Sequence, residues 1–235
     1  MDLHERRQLH PARSQDPGGF SNSGAGSHLR SSVTRECFRH QRRSKVVIDR
    51  HLISLAIALQ HIDEDVPKLQ AWGRIAASVL GAGGRLLACG AGTSVQQARH
   101  LVAELATPED ERPPLAVTTF SVCADVRRDC RPTDVVLWLS ATGADEGIAA
   151  AAAVARERGA TSWAMTGPAP NGLAGACADA VCVGAALEST VEEVHLAALH
   201  IFAAALNSAV RDAIRAGQPW PLQPCRAVRP SQPAA

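Results

Sequence analysis

The chain predicts an α/β fold, a parallel sheet with helices on both faces, and two observations carry that prediction. Five short apolar runs alternate with longer stretches whose apolar residues recur at helical spacing. Between the first run and its helix stand Gly90, Ala91, Gly92, Thr93 and Ser94, small residues where the backbone can turn sharply. Strands separated by helices pair in parallel, and ligands then bind at the carboxyl ends of the strands.

Taken in order, order is predicted to begin near Lys45. Residues 1–44 are rich in Arg, Ser, Gly and His without apolar periodicity, so they read as a disordered extension. A basic arm for nucleic acid or lipid headgroups is the alternative. Val46, Val47, His51, Leu52, Leu55, Ala56 and Leu59 mark one face of a first helix through Gln60. A second opens at 63–65, tolerates Pro67 in its first turn and aligns Leu69, Trp72, Ile75, Ala76, Val79 and Leu80. These two helices carry more apolar surface than a small sheet needs, which points to packing against copies of the chain.

The first strand is 85–89, and Thr93 or Ser94 caps the helix 95–106 that follows it. Strands are predicted at 115–119, 134–139, 161–166 and 180–183. A helix over 146–158 ends at Gly159, a short helical turn covers 171–178, and a long helix runs over 188–214. The domain therefore spans 45–215, and a loose Pro-rich tail covers 216–235.

Composition narrows the function. A formal net charge of +1 offers no broad attraction for nucleic acid or acidic membranes, and 3% aromatic residues with no tyrosine argues against base-stacking platforms. The seven cysteines form no CxxC pair and read as thiols of a reducing compartment. No signal-peptide core and no uninterrupted apolar run of membrane-spanning length is visible, so the protein is read as cytoplasmic.

Two features suggest chemistry. A small-residue turn feeding a helix N-terminus directs N–H groups at one spot and suits a phosphate. On that helix His100 and Glu104 lie four apart and share a face, fit to grip one ion or one substrate. By themselves such residues are ordinarily a solvated helix pair.

The segments CGAGTSVQQARHLVAEL, LWLSATG, WAMTG and VEEVHLAALH, in that order, resemble the SIS (sugar isomerase) domain, and within it the sedoheptulose 7-phosphate (phosphoheptose) isomerases. The resemblance covers roughly 46–211. It implies a flavodoxin-like five-stranded sheet with a helical lead-in, a homotetramer with active sites between subunits, a phosphosugar substrate and a Zn2+ ion. Carried onto this chain, it implies Glu104 as general base and His200 as acid, with His100, Glu104, Glu192 and His200 as metal ligands. It implies Gly90, Ala91, Gly92, Thr93 and Ser94 with Ser140, Ala141, Thr142 and Gly143 as the phosphate cradle.

The chain departs from the family at several points. Ala91 replaces an Asn, Asp145 a Ser, Glu192 a Gln and Pro108 an Arg. The segment 120–133 is short and without its helix, leaving Asp125, Arg127 and Arg128 to replace its polar groups. Glu192 and His200 are eight apart, about 12 Å along a regular helix. Either the last helix starts after Glu192, or the two serve sites completed by different subunits.

The plain roles are set beside these. Ser140 and Thr142 are ordinary turn and cap residues, Asp145 an N-cap, and His195 and Glu193 helix-face residues. Alternatives to the isomerase are a non-catalytic protein that senses a phosphosugar or binds a partner, and a metal-dependent enzyme on another sugar.

Overall fold

The computed structural model describes residues 48, 50–109, 112–121 and 126–221. The chain divides into compact units at residues 47 and 48. The expectations for 1–44, for Asp125 and for the tail beyond 221 lie outside the described residues.

Five parallel strands form one sheet in the order β2-β1-β3-β4-β5: β1 (Leu86–Gly90), β2 (Val117–Thr119), β3 (Val135–Ser140), β4 (Thr161–Thr166) and β5 (Asp179–Cys182). Leu86 to Gly90 pair in register with Val135 to Leu139, and Val135 to Ser140 with Thr161 to Thr166. All residues of β1 and β3 are buried, as befits strands covered on both faces. The order turns back between β1 and β3, so their carboxyl ends flank the crevice where such sheets bind ligands.

Alternate residues of each strand serve two cores. Leu86, Ala88, Leu137 and Leu139 face helices α1 (50–62), α2 (Val66–Gly81), α3 (Val95–Ala106) and α7 (Glu188–Arg215). Leu87, Cys89, Val136 and Trp138 face α4 (Val126–Asp129), α5 (Glu146–Glu157) and α6 (Gly172–Ala176). Ala151, Ala152 and Ala155 let α5 approach the sheet with little bulk. Gly73 does the same between α2 and α7: a Cβ there would lie 2.8 Å from Phe202 O and Leu206 N.

Arg85 and the buried Asp134 clamp the base of β1 to β3 at 2.6 Å, and this hydrogen-bonded carboxylate raises the Arg85 pKa. Trp72 stacks on Trp163 at 4.9 Å and donates to Asp179 at 3.1 Å, joining α2 to β4 and β5.

α7 has a stretch of mean hydropathy 1.3, long and apolar enough to cross a membrane. Half of that stretch is buried, and Leu199, Phe202 and Leu206 belong to the core between α2 and the sheet.

Four expectations need correction. Leu52 and Ile75 are 56% and 46% exposed, whereas Ala58, Ile62, Leu69, Trp72, Ala76 and Leu80 are buried. One narrow stripe faces the sheet, and the surplus apolar residues Ile48, Leu52, Ile53 and Ile57 lie outside it. The 63–65 segment is a 3-10 turn ahead of α2. The 120–133 segment does hold one helical turn, α4. The tail begins packed, because Trp220 rests on Gly81 and on the core.

Candidate functional site

Two loops meet at the crevice. After β1 the chain stays extended at Ala91, whose N–H reaches Leu139 O on β3 at 2.9 Å. It turns at Gly92 (φ +57°) and passes through a 3-10 turn, Gly92–Ser94, into α3. Gly90 is required there, since a Cβ would sit 2.3 Å from Ser94 O. Neither predicted cap works as one. Ser94 has helical dihedrals and a buried hydroxyl with no hydrogen-bond partner among the described residues. The Thr93 hydroxyl instead donates to the Glu192 carboxylate on α7, and Gln97 Nε2 donates to Glu192 O at 2.6 Å.

The loop after β3 is tied to itself. Ser140 Oγ accepts from Gly143 N at 3.0 Å, and Thr142 Oγ1 accepts from Ala144 N at 3.2 Å. Asp145 caps α5, accepting from Ile148 N at 2.9 Å. Ala141 is buried, and Gly143 (φ +67°) packs so closely on Asn171 that a Cβ would lie 2.2 Å from Asn171 Oδ1. Asn171 was not singled out by sequence reasoning. It donates to Thr166 Oγ1 at 2.9 Å and caps α6 through Ala174 N, so it braces the loop from behind. An Asn just before a short helix was the available signal.

Farther along α3 and α7 three side chains converge. His100 Nε2 lies 3.2 Å from His200 Nε2, with the rings edge to face, and 3.9 Å from Glu104 Oε2. One ligand atom from each of the three falls within 4.8 Å of the others. The α3 pair follows from helical spacing. The approach of His200, a hundred residues away, follows from α3 and α7 lying side by side on one face of the sheet.

This group fits a divalent cation. Two facing imidazole nitrogens can share one proton or both direct lone pairs at an ion, but two N–H groups would repel. Imidazole nitrogens bound to one tetrahedral zinc stand about 3.3 Å apart, close to the spacing seen. Glu104 Oε2 is buried without a hydrogen-bond donor among the described residues, so a carboxylate oxygen stands uncompensated at the same point.

Other candidates go elsewhere. α7 is continuous from Glu188, so Glu192 and His200 share one helix and are kept about 12 Å apart by its rise. Glu192 is therefore not part of the three-residue group within the chain. Glu193 pairs with His51 at 3.0 Å. His195 lies on the inward face of α7, apart from the three-residue group: it is fully buried and donates to Thr166 O at 3.1 Å, and burial pushes its pKa down to about 4. Arg127 pairs with Glu157 and Arg128 with its neighbour Asp129, both exposed. A cleft of about 500 Å³ opens beside the three-residue group, lined by Glu104, Thr107, His200, Asn207 and Arg211 among others.

No protein-family model matches the chain. It is similar to the phosphoheptose isomerase of Streptomyces coelicolor, 38% identical over 179 residues, covering 68% of this chain and 78% of that protein. The phosphoheptose isomerase of Thiobacillus denitrificans is 31% identical over 172 residues, covering 64% of this chain and 87% of its own. Among solved structures, a phosphoheptose isomerase from Francisella tularensis shares the fold with a TM-score of 0.62 at 23% identity, covering 70% of this chain and 98% of that one. One from Neisseria gonorrhoeae does so with a TM-score of 0.58 at 21% identity, covering 72% and 98%. The level of identity to the Streptomyces protein over most of its length, on a sheet whose crevice is built as described, means that the chain belongs to the phosphoheptose isomerase family of SIS-domain aldose–ketose isomerases.

Proposed function

We propose that the chain converts sedoheptulose 7-phosphate into D-glycero-D-manno-heptose 7-phosphate. The convergence of His100, Glu104 and His200 is the observation that carries this reading, taken with family membership. Glu104 removes a proton from C1 of the open-chain ketose while His200 protonates the C2 oxygen, giving an enediol. Glu104 then returns its proton to C2, and the O1 proton leaves to His200, so that C1 becomes the aldehyde.

His100, Glu104 and His200 would hold a divalent ion, zinc by the chemistry of the donors, and such an ion when bound stabilises negative charge on the two oxygens. One nitrogen cannot ligate and carry the proton together. The metal content of active protein therefore distinguishes His200 as ligand from His200 as acid.

At the other end, the phosphate lies against the Gly90–Ser94 turn and the 140–143 loop, on those N–H groups that β3 and the loops themselves do not take up. The buried Ser94 hydroxyl, which lacks a partner among the described residues, supports that placement. The site is shared between copies of the chain in a homotetramer, a reading supported by the exposed Leu52, Ile53 and Ile57 on α1 and by the exposed Ile48 before it. The thiols of Cys89, Cys130, Cys177 and Cys182, in no disulfide among the described residues, suit the cytoplasm.

Following aldose formation by NMR tests the reaction. Wild type produces the aldoheptose phosphate, and Glu104→Gln and His200→Ala do not. Equal turnover by the variants refutes the assignment.

A second reading has its own observation. The Glu192 carboxylate bonds Thr93 inside the anion loop, and Asp145 adds charge beside the other, which favours a less phosphorylated sugar. A heptulose without phosphate, turned over as fast as the phosphate ester, would establish that reading.

A further inference from the structure

Arg112 follows β-bridge partner Glu109 in the loop after α3 and carries a side chain with no solvent exposure. A guanidinium so placed must find acceptors for its donors. Nη1 and Nη2 find them in main-chain carbonyls, Leu105 O at 2.8 Å, Thr107 O at 2.6 Å, Pro113 O at 3.0 Å and Glu104 O at 3.3 Å, while Nε has no hydrogen-bond partner among the described residues. Three of the four belong to the end of α3, where the helix leaves its last carbonyls without intrahelical donors and its dipole is negative. Among the described residues one carboxylate oxygen, Glu109 Oε2, pairs with Arg112, 3.9 Å from Nε.

The residue it grips matters because Glu104 lies in that final turn. Its Oε2 has no hydrogen-bond donor among the described residues to orient it, and His100 is 3.9 Å away. The direction of the carboxylate is thus left to the main chain beneath it. That main chain belongs to the last turn of a helix, the part that frays most readily. Arg112 replaces the missing turn with a rigid five-donor fork.

We infer that Arg112 is a positioning residue: by capping the C-terminal carbonyls of α3 it holds the Glu104 carboxylate at the spacing from His100 and His200 that a cation or a substrate proton requires. The inference rests on the reading of Glu104 and His200 as working groups. Lysine can place a charge at the same point but cannot bridge four carbonyls. Methionine keeps much of the bulk and removes every donor.

The test uses the full chain stripped of metal. Co2+ is titrated by its visible absorption without substrate, and kcat, KM and melting temperature are measured separately. Arg112→Met is expected to weaken Co2+ binding and lower kcat by roughly 10- to 100-fold each, with KM within about twofold, and Arg112→Lys to fall between it and wild type. A lowered melting temperature with wild-type Co2+ affinity and kcat in the folded protein would make Arg112 merely structural and overturn the inference. If Arg112→Met does not fold, Arg112→Lys carries the same criterion. Glu104→Gln separates the two levels: wild-type Co2+ binding and turnover in that variant sinks the reading of Glu104 itself, whatever Arg112 does.

Discussion

The two ends of the crevice, one proposed for a cation and the other for an anion, are built differently. At the first, His100, Glu104 and His200 stand on two long helices whose buried faces fix them against the sheet, so three side chains are brought together before any ligand arrives. At the second, the polar side chains are spent within the protein. Ser140 and Thr142 accept amides of their own loop, Thr93 is taken by Glu192, and Asp145 caps α5. What remains for an anion is backbone N–H groups and the Ser94 hydroxyl. Helices offer preformed side-chain geometry, whereas these loops offer backbone held in shape by side chains.

The hardest blow to the comparison falls on the first end. Glu104→Gln is isosteric and removes the carboxylate proposed as base, so kcat should drop by about 10²–10⁴-fold while the melting temperature stays within a few degrees. A large loss of stability instead would make Glu104 a structural residue.

His195 sharpens the contrast, since it lies on α7 between Glu192 and His200 and ties that helix to Thr166 at the end of β4. Burial holds it neutral, with a pKa of about 4 against 6.5 when free. The folded pKa is depressed, so its stabilisation is complete above the free value and is lost as pH falls from there toward the folded one. The span amounts to ~3 kcal/mol. Urea unfolding at pH 7 and pH 4.5 should show this decline in wild type, and His195→Leu should lack that component.

Asp145 probes the second end more gently. Asp145→Ala should cost ~1 kcal/mol for the lost cap. Asp145→Asn keeps the acceptor, so unfolding stability should hold while KM for the phosphosugar falls. A stability loss as large in Asn as in Ala would remove the cap from the account.

The smallest effect belongs to Glu192→Gln, which leaves Thr93 an acceptor and deletes one half-buried charge. KM should improve by a few-fold, under ~1 kcal/mol, with metal content unchanged. A loss of metal in this variant would mean that Glu192 ligates across a subunit boundary.

Much of this was legible in residues. The four principal strands, α3, the stop at Gly159 and the Asp145 cap all depend on near neighbours, and each lies within a residue or two of its expected bounds. The misses have a common form. Ile75 and Leu52 have helical spacing, but spacing cannot say which of several apolar stripes turns inward. Thr93 has a capping side chain, but Glu192 competes for it from ninety-nine residues away. Arg112 stands beside Glu109, Asp110 and Glu111 in sequence with no local mark of burial, and only the folded chain reveals that it is buried against four carbonyls.

By itself, then, the sequence determined the alternation of elements, the sharp turns, and the pairing of His100 with Glu104, because these rest on dihedral preferences and the 3.6-residue repeat. Tertiary structure alone decided that His200 meets that pair, that Glu192 does not, and that Arg112 closes α3. Those outcomes depend on where two helices come to rest on a shared sheet face, which is settled by the packing of many distant side chains at once and is written in no local stretch of the chain.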